Sequence, residues 1–102
     1  MDLELARQQW DDGDRRVQSL RRDRKRYVEV LADVDAVVAD LRRRVGQTFT
    51  LAELAAAYHD AERWARGLVQ ERAPTPGWPR DLATVLAAAF YAYQRGALDY
   101  RS

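Results

Sequence analysis

Residues Leu3 to Val45 read LELARQQWDDGDRRVQSLRRDRKRYVEVLADVDAVVADLRRRV, and the spacing of their apolar members decides the fold. At alternating steps of three and four the positions are Leu3, Ala6, Trp10, Gly13, Val17, Leu20, Arg24, Tyr27, Leu31, Val34, Val38, Leu41 and Val45. That is the heptad seam of a helix that pairs with another helix. Ala6, Gly13 and Arg24 are irregular members and Trp10 is oversized, yet the register holds to Gly46. The stretch therefore predicts one long, coiled-coil-like helix. Its weak point is expected between Asp11 and Asp14, because Gly13 in a helix interior costs about 1 kcal/mol relative to alanine and Asp14 can cap a new start.

The seam changes character along its length. It is narrow and flanked by charge up to Tyr27, and from there widens to take in Val28, Val30 and Val37. A narrow stripe suits contact with one partner helix, whereas a wide stripe suits burial between two neighbours. The expectation is a projecting dimerisation arm over residues 1–27 and a three-helix core over 28–102, within one domain. Gly46 ends the helix, and Arg42, Arg43 and Arg44 in its last turn suit the negative end of the helix dipole.

Outward from that helix, Thr50-Leu51-Ala52-Glu53 is a capping box, with Phe49 placed to staple onto Leu54. A helix over about 51–72 follows, with Leu51, Leu54, Ala55, Tyr58, Ala61, Trp64, Ala65 and Leu68 on its apolar face. Thr50 to Ala55 resembles the first helix of helix-turn-helix motifs, but no glycine turn follows where such a motif needs one. Ala73 to Pro79 contains three prolines and predicts a stiff connector, with Trp78 as a plug over one end of the core. A third helix is expected from Arg80 or Asp81 to Leu98, with Leu82, Val85, Leu86, Ala89, Phe90, Tyr93 and Ala97 facing inward. The expected core is Leu31, Val34, Val38, Leu41, Leu54, Tyr58, Trp64, Leu68, Leu86, Phe90 and Tyr93. The fold class is all-α, with a long first helix and two shorter helices packed on its C-terminal half.

Composition narrows the function. In 102 residues, 47% are hydrophobic and 32% charged, the pattern of a single helical domain. Seventeen bases against sixteen acids leave a net charge of +1, so bulk charge selects neither nucleic acid nor membrane. There is no cysteine, no signal-like start and no apolar run of the roughly 20 residues that span a bilayer. These features lead to the expectation of a cytoplasmic protein.

Catalytic and metal-binding patterns are sparse. His59, the only histidine, has Glu62 three residues on, and two ligands do not make a metal site. Ser19 and Ser102 have no base near them in sequence, and the glycines are scattered singly, which excludes a recognisable triad or phosphate-cradling loop. No catalytic residue, cofactor or metal is assigned. A long helix followed by two shorter ones is similar in layout to the helical class of chorismate mutases, which implies an all-helical enzyme as a third reading. That family's basic and acidic motif does not map onto residues of this chain.

Local charge is more informative. Arg15, Arg16, Arg21, Arg22, Arg24, Lys25 and Arg26 form a basic run that contains one acid, Asp23, and residues 1–14 carry five aspartates and glutamates against Arg7. An acidic block beside a basic one fits a second copy running the other way. With Val17 set on Leu20 of the partner, Arg16 meets Asp23, Asp14 meets Arg21, Trp10 lies on Tyr27, and Arg24 fills the space over Gly13. Length agrees, since a 43-residue helix is about 65 Å long and a 22-residue neighbour only about 33 Å, leaving half the seam uncovered. The expected dimer interface is Leu3, Trp10, Gly13, Asp14, Arg16, Val17, Leu20, Arg21, Asp23, Arg24 and Tyr27.

Together these readings predict a non-enzymatic homodimeric adaptor that recruits another macromolecule, with a second protein as a partner. The alternative is a nucleic-acid- or transcription-associated protein that uses residues 15–26, with Arg15, Arg22, Lys25 and Arg26 as candidate contacts.

Overall fold

The computed structural model describes residues 2–61, 63–64 and 78–99. Among these residues four α-helices follow in order: α1 (Leu3–Gln18), α2 (Arg24–Arg44), α3 (Leu51–His59) and α4 (Trp78–Tyr93). Tight 3-10 turns occupy Ser19–Arg22 and Gln94–Gly96, and there is no strand among the described residues. The all-α class is as expected. The count of three helices is corrected to four, because the predicted long helix is two.

The break lies at Asp23 and not near Gly13. Asp2 starts α1 by accepting a hydrogen bond from the Leu5 amide at 3.2 Å, and the helix runs unbroken through Gly13. The Ser19 hydroxyl donates to the Arg16 carbonyl at 2.6 Å, the next residues tighten into a 3-10 turn, and Asp23 leaves helical geometry at φ −96°, ψ 86°. Its carboxylate then accepts from the Arg26 amide at 3.2 Å and begins α2. The 3-10 turn alters the phase of the side chains too little to disturb a heptad count, which is why periodicity passes over the break.

At that corner the chain reverses, and α1 lies along α4, touching it far more extensively than it touches α2. Residues 3–18 are thus part of the core rather than a projecting arm. Ala6, Trp10, Gly13 and Val17 are buried, Trp10 completely, with its ring edge-on to Tyr58 at 5.7 Å and tilted against Phe90 at 5.6 Å. The large ring is accommodated because α4 offers Ala87, Ala88 and Ala89 in succession, all buried, so the two backbones can approach closely.

The rest of the core follows the predicted faces more closely. Val34, Leu41, Leu54, Leu86 and Phe90 are buried, while Leu31, Val38, Tyr58, Trp64 and Tyr93 are half-buried against them. Leu68 lies outside the described residues. Val30 and Val37 join the core from α2, as the widened stripe implied, whereas Val28, expected on the same stripe, is 57% exposed.

Gly46 is the C-terminal stop of α2. It takes φ 85°, a left-handed conformation that glycine adopts without steric cost, and its amide bonds the Arg42 carbonyl at 3.2 Å. Within the last turn Arg43 and Arg44 pair with the buried carboxylate of Asp40, each at 2.5 Å, and Arg44 also stacks over Trp64 at 4.7 Å. Thr50 caps α3, accepting from the Glu53 amide at 3.1 Å. Phe49, expected to staple onto Leu54, stacks on Tyr93 at 5.0 Å. The end of the chain returns to this loop: Leu98 donates to the Phe49 carbonyl at 2.9 Å, and Asp99 accepts from the Leu51 amide at 2.7 Å.

The last helix differs from expectation at both ends. At its C-terminal end α4 stops at Tyr93, followed by the 3-10 turn, and does not reach Leu98. Regular helix in α3 ends at His59 with a turn at Asp60, and helical geometry reappears at residues 61, 63 and 64, so the predicted limit at 72 lies outside the described residues. Trp78 and Pro79, assigned to the connector, begin α4 instead. Proline is tolerated in the first helical turn, where the amide it lacks has no helical partner.

Candidate nucleic-acid interface

The break at Asp23 converts a linear basic run into a corner. The last turn of α1 supplies Arg15 and Arg16, the 3-10 turn supplies Arg21 and Arg22, and the first turn of α2 supplies Arg24, Lys25 and Arg26. Arg15 is exposed and paired with Asp11 at 3.0 Å, one helical turn earlier. Arg26 is half-buried and engaged in an interaction of its own. Arg16, Arg21, Arg22, Arg24 and Lys25 are exposed, and none has an ion-pair partner among the described residues. Residues 15–26 hold seven bases and one acid, whereas the remaining ninety hold ten bases and fifteen acids. A net charge near zero therefore conceals a strongly polar chain.

The predicted dimer-interface residues divide into two groups. Trp10, Gly13 and Val17 are inside the molecule beneath α4, while Leu3, Leu20 and Tyr27 are half-buried against the core. Asp14 is partly exposed, and Arg16, Arg21, Asp23 and Arg24 face solvent at the corner. The fold thus separates the apolar seam from the charges that were to choose its direction. The candidate nucleic-acid contacts Arg15, Arg22 and Lys25 share one exposed corner, beside the less exposed Arg26.

Other surfaces carry less organised chemistry. An open groove of about 660 Å³ runs between the first turns of α1 and the end of α4, with Leu3, Arg7 and Asp11 on one side and Tyr91 and Gln94 on the other. Arg95 lies over the Tyr91 ring at 5.6 Å. Gln94 is buried with its Oε1 unpartnered, as is the Nε1 of Trp10. Sequence reasoning gave no sign of this groove, because its walls come from opposite ends of the chain. His59 is exposed and the Glu62 side chain lies outside the described residues. Among the described residues there is no cluster of three metal-ligating side chains, and no helix is long and apolar enough to cross a membrane. Burial pushes the Tyr58 hydroxyl above its ordinary pKa.

Compared with protein-family models, curated proteins and solved structures, the chain matches none.

Proposed function

We propose that the protein is a non-enzymatic binding module that contacts the phosphate backbone of a nucleic acid through the corner formed by residues 15–26. The observation that carries this reading is the set of five exposed cations, Arg16, Arg21, Arg22, Arg24 and Lys25, at one turn of a chain whose remainder is net acidic. Phosphate contacts of this kind release counterions and place a protein on a duplex without reading its sequence. The acidic remainder of the surface repels the same backbone, so one orientation is favoured. No asparagine occurs anywhere in the chain, which removes one of the side chains that read adenine edges.

The test is the anisotropy of a labelled duplex titrated with protein over a range of salt. If all five cations engage, the logarithm of the binding constant should fall with log salt at a slope of about −4.5. Changing Arg22 and Lys25 to glutamine together should reduce that slope by about 2, with equal effect on unrelated sequences. No binding at low salt, or a slope indifferent to the double change, contradicts the proposal.

A further inference from the structure

We infer that a second copy of this chain can replace α1, giving a domain-swapped homodimer in which each α1 lies on the partner's α4 and residues 3–44 become one continuous helix. The hinge is a single residue. Gln18 (φ −63°, ψ −30°) and Ser19 (φ −66°, ψ −15°) are already right-handed helical, Ser19–Arg22 is a 3-10 turn, and only Asp23, at ψ 86°, departs. The Tyr27 amide already bonds the Asp23 carbonyl at 2.9 Å in the helical pattern. Rotating ψ of Asp23 to a helical value joins α1 to α2. Nothing in the sequence opposes that join, since no glycine or proline occurs between Gly13 and Gly46. The heptad phase also runs unbroken from Val17 and Leu20 to Tyr27 and Leu31.

What opening exposes identifies the partner. Because α1 packs chiefly on α4 and little on α2, swinging it away leaves α2 on α4 and bares a slot along Ala87, Ala88 and Phe90. That slot is shaped for a helix with glycine where Gly13 lies and tryptophan one turn earlier, and a second copy carries that helix by identity. The swapped form gives up Asp23's cap on the Arg26 amide and the 3.4 Å bond from the Tyr27 hydroxyl to Gln18 Oε1, both of which the closed form makes. It recovers the α1–α4 contact from the other chain. Joining α1 to α2 also straightens the basic corner of residues 15–26, and the exchange is therefore measured without any ligand of that corner.

The absence of native cysteine allows spin labels at Leu5→Cys and Arg42→Cys, both exposed positions, in full-length chain diluted with unlabelled chain so that only the intrachain distance is read. In the continuous helix these sites are about 55 Å apart. In the closed monomer they lie within a molecule 37 Å along its longest axis. Protein refolded at about 0.2 mM should give a dimer fraction by sedimentation, and that fraction should show the longer distance. Asp23→Ala, which removes the cap and supplies a better helix former, should raise the association constant about tenfold. Arg24→Pro suits the first turn of α2 but cannot sit inside a continuous helix, so it should hold the chain monomeric. Monomers throughout in both wild type and Asp23→Ala overturn the proposal, as does a dimer that keeps the short distance. Should Asp23→Ala fail to fold, wild type against Arg24→Pro decides by the same two readings.

Discussion

Gly13 of α1 sits so close to Ala87 of α4 that a methyl group at position 13 would overlap the alanine's own Cβ and approach the Ala88 amide nitrogen at 3.0 Å. The contact gives a substitution whose sign reports where α1 lies. On a free helix Gly13→Ala stabilises by about 1 kcal/mol through helix propensity. Beneath α4 it must push two backbones apart, and overpacking of this kind costs about 1–3 kcal/mol. A net loss of stability in a denaturant titration is expected for Gly13→Ala, and Ala87→Gly in the same chain should restore part of it. A gain for the single change places α1 away from α4.

Trp10 tests the same packing from the other direction. Its ring is completely buried between Tyr58 and Phe90, so Trp10→Ala should cost about 3–5 kcal/mol. A cost well under 1 kcal/mol, read from the midpoint at unchanged slope, belongs to an exposed tryptophan.

Leu54 is fully buried on α3, and Leu54→Ala is expected to cost about 2–5 kcal/mol. Equilibrium unfolding measures it. An effect indistinguishable from wild type means that the inward face of α3 has been assigned to the wrong residues.

Tyr58 ties stability to alkaline pH. Burial raises its pKa in the folded chain above the ordinary value of about 10, so the unfolded chain ionises first. The resulting contribution is fully present below about pH 10 and is lost as the pH rises through the native value. Tyr58→Phe should make stability less steep with pH in that window. An identical alkaline slope for wild type and variant removes Tyr58 as the cause.

Most of the fold was legible because local chemistry and periodicity agreed. Thr50 and Glu53 announced the start of α3, Gly46 announced the end of α2, and the apolar positions of α2 and α4 matched their buried faces. The break at Asp23 was not legible from the seam, because a 3-10 turn barely disturbs a count in threes and fours. The signals were polar instead: Ser19 bonding back to Arg16, and Asp23 capping forward to Arg26. Each is a common surface residue when read as part of a helix and a terminator only when its hydrogen bond is known. Gly13 misled for the converse reason. Glycine in a helix suggests weakness, and here it marks the closest approach of α1 to α4. At the corner the charges themselves could be read from sequence, but their gathering on one exposed turn depended on the break.

The chain turns at Asp23 and lays α1 on its own core, and small-angle scattering from dilute monomer tests that arrangement most directly. The closed chain has a Cα radius of gyration of 13.1 Å, and the measured value should lie near this after allowance for bound water. A straight helix of about 65 Å has by itself a radius of gyration of about 19 Å, so a monomer near or above that value contradicts the fold described here.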